Sequence, residues 1–121
     1  MATILVVDDY AVSLRLMSHI LNRADHDVLT ADHGLNALDL LEQYQIDLVI
    51  LDIDMPEING IAVLKRIRAD ARFATLPVIM LTASGDDRDR VDAIDAGADG
   101  FLTKPASSDE IVDAVNRLLD N

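Results

Sequence analysis

Three uninterrupted apolar segments constrain the fold of this chain more than any other feature of its sequence. They occupy residues 4–7, 48–51 and 78–81. Polar residues do not alternate with the apolar ones, which is the pattern of strands buried on both faces of a parallel sheet. Shorter apolar segments at residues 28–30 and 101–102 indicate two further strands. The sequence therefore predicts five strands.

Apolar residues at helical spacing lie between these strands. They recur at intervals of three or four residues, which is typical of helices with one apolar face. The recurring residues are Leu14, Met17 and Leu21, then Leu35, Leu38 and Leu41, then Leu64 and Ile67, then Val91 and Ile94, and finally Ile111, Val115, Leu118 and Leu119. Ser107 and Glu110 have the spacing of a capping box at the start of the last helix.

The alternation of strands and helices predicts a three-layer α/β/α sandwich around a five-stranded parallel sheet. Right-handed crossovers leave few topologies at this length, and the flavodoxin-like, doubly wound strand order 2-1-3-4-5 fits best. The chain has 121 residues and no linker or low-complexity segment. We therefore expect a single domain that spans residues 1–121.

Charge and composition exclude several functions. The formal net charge is −12, with 22 acidic and 10 basic residues, which argues against direct binding to nucleic acid. The absence of cysteine excludes disulfides and thiolate metal sites, and it is compatible with a reducing cytosol. No apolar run approaches the length of a membrane helix and no basic leader precedes the first strand. We expect a soluble, cytoplasmic protein.

Chemically capable side chains follow the strands. Asp8 and Asp9 come after the first strand, Asp52 ends the third, Thr82 ends the fourth and Lys104 follows the fifth. Sites in sheets of this kind form beyond the carboxyl ends of the strands. We therefore expect three carboxylates, a hydroxyl and an ammonium group to converge at one edge of the sheet.

The chemistry of this set favours a hard metal ion and phosphoryl transfer. Three clustered carboxylates repel one another, so they either take up protons or hold a cation. An oxygen-only site without cysteine or histidine suits Mg²⁺ or Mn²⁺. A carboxylate can also act as a nucleophile and form an aspartyl-phosphate. The phosphoryl oxygens would need neutralisation, which a metal, a lysine and a hydroxyl can supply.

The order and spacing of the motifs resemble the bacterial response-regulator receiver family. The motifs are ILVVDD at residues 4–9, LDIDMP at 51–56 with Gly60 beyond it, LTA at 81–83, and Lys104-Pro105. The resemblance covers essentially the whole chain, and segments 67–70 and 76–78 are similar to the single-domain chemotaxis type. It implies a phosphorelay signalling switch that takes a phosphoryl group onto Asp52 from a histidine kinase or a small phosphodonor, in a reaction that needs Mg²⁺.

The resemblance also implies the metal ligands. Asp9 and Asp52 would bind the ion directly, Asp8 would act largely through water, and Asp54 would offer its backbone carbonyl. Position 54 carries an acid where chemotaxis relatives tend to have an amide, and position 84 carries a serine. Because both positions are tied to the dephosphorylation rate in the family, the lifetime of the phosphorylated form stays open.

Other roles implied by the resemblance concern the phosphoryl group and the switch. Thr82 and Lys104 would contact the phosphoryl oxygens, and Thr82 and Phe101 would form the switch pair. The Lys104-Pro105 bond is often cis in the family. The domain would catalyse its own phosphorylation and dephosphorylation without being an enzyme for another substrate. Its partners would be a sensor histidine kinase or a histidine phosphotransfer protein, and a downstream protein that binds the face formed by helix 4, strand 5 and helix 5.

Two alternatives share the predicted topology. A flavin-binding electron carrier would need phosphate-binding donors after the first strand, but Asp8, Asp9 and Tyr10 would repel a phosphate in the absence of a metal. A phosphatase that forms an aspartyl-phosphate could use Asp54 as its general acid, but a chain of 121 residues leaves no room for a substrate-covering cap. The three histidines are scattered, and we expect them at the surface without a metal or phosphotransfer role; they are His19, His26 and His33.

Overall fold

Five parallel strands form one sheet in the computed structural model, which describes residues 2–83 and 86–120. The strands are β1 (Thr3–Val7), β2 (Asp27–Ala31), β3 (Leu48–Asp52), β4 (Val78–Thr82) and β5 (Gly100–Thr103). Their order in the sheet is β2-β1-β3-β4-β5. The predicted doubly wound topology and all five predicted strands are confirmed.

Helices connect consecutive strands, because parallel neighbours require a crossover. The helices are α1 (Ala11–Arg23), α2 (Gly34–Gln43), α3 (Gly60–Ala69), α4 (Asp87–Asp95) and α5 (Ser108–Leu119), with a short 3₁₀ helix at Ala71–Phe73. The predicted capping box is present, since the Ser107 side chain accepts from the Glu110 N–H and the Glu110 side chain accepts from the Ser107 N–H. None of the helices in the described ranges combines the length and apolar composition needed to cross a bilayer.

The sheet separates two hydrophobic clusters. Val49 and Leu51 of β3 pack in the cluster covered by α2, α3 and α4. Leu48 and Ile50 of the same strand pack in the cluster covered by α1 and α5. Successive side chains of a strand point to opposite faces, so a strand buried on both sides needs an apolar residue at every position. The uninterrupted apolar segments of the sequence meet this need.

The expectation that every histidine lies at the surface is wrong for His26. This residue is only 9% exposed. Its Nδ1 accepts a hydrogen bond from the Ala2 N–H at 3.3 Å, and its Nε2 lies 3.2 Å from Asn116 Oδ1. His26 therefore joins the amino-terminal end of the chain to α5, a contact between residues that are far apart in sequence. His19 and His33 are exposed as expected, and the His33 ring caps α2 by accepting from the Asn36 N–H.

Candidate functional site

Three carboxylates meet at the carboxyl edge of the sheet, as the sequence predicts. Asp8 directly follows β1 and Asp52 ends β3, and the register that pairs Val7 with Leu51 makes these two acids neighbours. Asp8, Asp9 and Asp52 each offer one carboxylate oxygen, and the three oxygens lie within 4.8 Å of one another. Asp8 and Asp52 are only 2% and 4% exposed, whereas Asp9 is exposed to solvent. An oxygen-only cluster with one side open to solvent suits a hard divalent cation.

Lys104 supplies a positive charge to the same edge. Its Nζ lies 2.8 Å from Asp8 Oδ2 and 3.8 Å from Asp52 Oδ1. The backbone places this side chain, because the Lys104 N–H donates to the Thr82 carbonyl and extends the pairing of β4 with β5. The Lys104-Pro105 peptide bond is cis, as the resemblance implies. One ammonium group thus faces both buried carboxylates.

The two buried carboxylates differ in how readily they ionise. Burial, followed by the negative charge of Asp8, raises the pKa of Asp52 to about 7, even though Lys104 favours the ionised form. Burial also acts to raise the pKa of Asp8, but hydrogen bonds from Lys104, Ser13 and the Tyr10 N–H outweigh it and lower that pKa overall. Asp8 therefore carries the charge that pairs with Lys104, and Asp52 stays poised between its two protonation states.

Thr82 and Phe101 lie on the neighbouring strands β4 and β5. The Thr82 side chain is fully buried, and its Oγ1 donates to Asp54 Oδ2 at 3.3 Å. Phe101 pairs with Met80 in the register of β4 and β5, so it lies two positions before the residue that pairs with Thr82. Its half-buried ring faces α4, where the Arg90 guanidinium carbon lies 5.8 Å from the ring centroid. The side chains of Thr82 and Phe101 therefore share one face of the sheet.

The loop after β3 contains two features that the sequence did not indicate. Gly60 donates its N–H to the Ile53 carbonyl at 2.8 Å, and a Cβ atom at this position would collide with the main-chain oxygen of Asp52. Glu57 adopts a φ of 68°, in the left-handed region that favours glycine. The bond from Thr82 to the Asp54 carboxylate was also missed, because no sequence spacing relates a residue of β4 to a residue of the loop after β3. Ser84 lies outside the described residues.

The residues predicted for the site are thus brought together. Three carboxylates and one ammonium group lie together beyond the ends of β1, β3 and β5; they belong to Asp8, Asp9, Asp52 and Lys104. Thr82 ends β4, the strand between β3 and β5. This constellation is the one expected of a phosphoryl-accepting switch. The chain matches the family model of the response regulator receiver domain over residues 4–116. It belongs to this family.

Relatives of this receiver domain include proteins of different length. A chemotaxis protein CheY homolog of Campylobacter jejuni is 38% identical over 104 residues, with 84% of the chain and 80% of the relative covered. The DNA-binding dual master transcriptional regulator RpaA of Synechocystis is 40% identical over 119 residues, which cover 98% of the chain but 49% of RpaA. The chain therefore spans about half the length of the transcriptional regulators that it matches.

The solved structures agree with this assignment. A crystal structure of a putative response regulator from Chloroflexus aurantiacus is 33% identical and superimposes with a TM-score of 0.96, covering 99% of this chain and 98% of that one. As a receiver domain, the chain is a phosphorelay switch of the two-component type. Receiver domains bind Mg²⁺ in an acidic site, and the described residues include such a cluster at Asp8, Asp9 and Asp52. The flavin carrier and the phosphatase are not favoured.

Proposed function

We propose that Asp52 is the phosphoryl acceptor of this receiver domain. The observation that carries the proposal is the convergence of the three carboxylates, with oxygens within 4.8 Å of one another, on the ammonium group of Lys104. Asp52 lies at the end of β3, the central strand of the sheet. The donor would be a phosphohistidine of a partner protein or a small acyl phosphate.

The acidic cluster fits a divalent metal. Asp9 and Asp52 would hold Mg²⁺ or Mn²⁺ directly, Asp8 would act largely through water, and Asp54 would offer its backbone carbonyl. Oxygen ligands of this kind are those that Mg²⁺ prefers, and the ion usually retains water that phosphate oxygens can replace. When bound, the ion would neutralise negative charge on the phosphoryl oxygens.

Asp52, Lys104 and Thr82 would have different roles in the phosphoryl transfer. An ionised Asp52 oxygen attacks phosphorus, the bond from phosphorus to the donor nitrogen or oxygen breaks, and the leaving group keeps the bonding electrons. Lys104 is held by Asp8 at 2.8 Å and would contact a phosphoryl oxygen from there. Thr82 would donate its hydroxyl to a second phosphoryl oxygen. Hydrolysis of the aspartyl-phosphate by water in the same site would return the domain to its resting state.

Two partners follow from this function. A sensor histidine kinase or a histidine phosphotransfer protein would supply the phosphoryl group, and a downstream protein would bind the face formed by α4, β5 and α5. Two apolar residues of α4 are exposed there, Val91 at 54% and Ile94 at 55%. The net charge of −12 argues against contact between this domain and nucleic acid, even though RpaA is named as DNA-binding. A cytoplasmic location and a single domain over residues 1–121 stay predictions.

Phosphorylation by acetyl phosphate tests the proposal. Intact-protein mass spectrometry should show one phosphoryl adduct on the wild type with Mg²⁺ and none with excess chelator. Asp52→Asn should show no adduct, whereas Asp39→Asn, which removes an exposed carboxylate from α2, should behave as the wild type. A normal adduct on Asp52→Asn would refute the assignment of Asp52, and an adduct that forms equally well in chelator would refute the metal requirement.

A further inference from the structure

The hydroxyl group of Thr82 already has an anionic acceptor in the structure. Thr82 Oγ1 donates to Asp54 Oδ2 at 3.3 Å, from a fully buried side chain to an exposed one. A threonine hydroxyl carries a single proton, so it makes one full-strength hydrogen bond as a donor at a time. Donation to a phosphoryl oxygen on Asp52 therefore requires the bond to Asp54 to break.

The backbone around Thr82 confines this exchange to the side chain. The Ile53 N–H donates to the Leu81 carbonyl at 3.0 Å on one side of β4, and the Lys104 N–H donates to the Thr82 carbonyl at 2.6 Å on the other. Because neighbouring strands hold the main chain from both sides, the hydroxyl changes acceptor mainly by rotation about χ1, between discrete staggered positions. The two acceptors therefore define two alternative states of one side chain.

Asp54 is also within electrostatic reach of α4. Partial burial raises the pKa of Asp89 on this helix, and the negative charge of Asp54 is the next largest cause, ahead of Asp86 and Asp92. The Asp54 carboxylate thus accepts the hydrogen bond from Thr82 and also acts electrostatically on α4. The surface of α4 is the one that the switch is proposed to alter. Asp54 is exposed, so water can solvate its carboxylate when the hydroxyl leaves. The exchange is therefore reversible at modest cost.

We propose that Asp54 is a positioning residue that competes with the phosphoryl group for the Thr82 hydroxyl and so stabilises the resting state. The inference rests on the proposed phosphorylation of Asp52. It identifies the Asp54 carboxylate as the group that opposes the movement of the Thr82 hydroxyl toward the phosphoryl group. It assigns a role to the carboxylate of Asp54, separate from the backbone carbonyl that would face the metal. An acid at this position makes the switch harder to turn on than an amide or an apolar residue would.

Beryllium trifluoride with Mg²⁺, a phosphoryl analogue that attaches to carboxylates, provides the test. The wild-type protein, without and with saturating analogue, defines the two end points for NMR signals of the Thr82 methyl group and the Phe101 ring. In Asp54→Ala without analogue, both signals should move toward the activated end point, and the half-saturating analogue concentration should fall by about fivefold, the effect of one weak bond to a charged acceptor. Asp54→Asn retains an uncharged acceptor, so its NMR signals and its half-saturating concentration should lie between those of the wild type and those of Asp54→Ala.

Two controls separate the hydrogen bond from a loss of charge. Asp89→Asn removes a neighbouring carboxylate without touching Thr82 and should leave both signals at the wild-type end points. In a Thr82→Ala background, Asp54→Ala should no longer change the half-saturating concentration, because the shared bond is already absent. Wild-type signals and affinity in Asp54→Ala, or an equal fivefold change in the Thr82→Ala background, would overturn the inference. A wild-type protein that does not respond to the analogue would instead refute the proposed function, and the inference with it.

Discussion

Replacing Asp52 by asparagine should make the metal-free fold more stable, by an amount that depends on pH. The pKa of Asp52 is raised in the fold from 3.8 to about 7, first by burial and then by the charge of Asp8. Well below pH 4 the side chain is protonated in both the folded and the unfolded chain. As pH rises, the unfolded chain releases this proton first, so the wild type loses stability until the folded group ionises near pH 7.

The size of the effect follows from the two pKa values. A pKa of about 7 in the fold against 3.8 in ordinary surroundings corresponds to about 4 kcal/mol of unfolding free energy at full ionisation. Because asparagine cannot ionise, the stability difference between Asp52→Asn and the wild type should grow from under ~1 kcal/mol near pH 4 to about 4 kcal/mol at pH 8. Urea unfolding in chelator at four or five pH values measures this difference directly.

Two further measurements test whether the stability difference comes from the buried carboxylate of Asp52. Asp39→Asn removes an exposed carboxylate from α2 and is the matched control for the loss of one acidic side chain. Saturating Mg²⁺ should narrow the difference at pH 8, because the ion binds the folded wild type in preference to its unfolded chain. A stability difference between Asp52→Asn and the wild type that is flat from pH 4 to 8 would show that the buried site does not penalise the ionised carboxylate.

Three other substitutions probe separate parts of the site. Asp9→Ala should weaken Mg²⁺ binding by about tenfold or more, since one of three carboxylates is lost; unchanged affinity in a metal titration would exclude Asp9 as a ligand. Thr82→Ala should still accept a phosphoryl group on Asp52 but leave NMR signals from Arg88 to Phe101 unshifted; the same shifts in both proteins would exclude Thr82 as the coupling residue. Gly60→Ala should lower the unfolding free energy by about 1–3 kcal/mol, because its methyl group would press on the Asp52 main chain; denaturant midpoints equal to those of the wild type would contradict this.

Much of the fold was predictable because strands buried on both faces leave a clear signal. The apolar segments at residues 48–51 and 78–81 coincide with β3 and β4 to within one residue. The weaker segment at 28–30 marks β2, which has one edge free and is partly exposed. The convergence of Asp8, Asp52 and Lys104 also followed from topology alone, since parallel strands place their carboxyl ends at one edge.

Other features were not predictable because they depend on contacts between distant segments. Helical spacing of Val91 and Ile94 located α4, but both residues are more than half exposed and the buried residue of that helix is Ala93. The burial of His26 depends on Asn116, ninety positions away. The Arg68 guanidinium donates to three main-chain oxygens, two in the segment from the 3₁₀ helix to β4 and one after α4, and to the Asp99 carboxylate. No periodicity in the sequence reveals these contacts. Local patterns therefore specified the elements, and long-range packing specified which face of each is buried.

The division of the core by the sheet has a consequence for how this sequence can vary. Val49 and Ile50 are adjacent in the chain but contribute to different clusters, whereas Ile50 and Ile79 lie on neighbouring strands in one cluster. Changes in volume at Val49 and Ile50 are therefore accommodated by different sets of helices. Changes at Ile50 and Ile79 compete for the same space and compensate each other. Substitutions can accordingly remodel the cluster under α1 and α5 without disturbing the cluster under α2, α3 and α4. Substitutions in the second cluster can likewise leave the first unchanged.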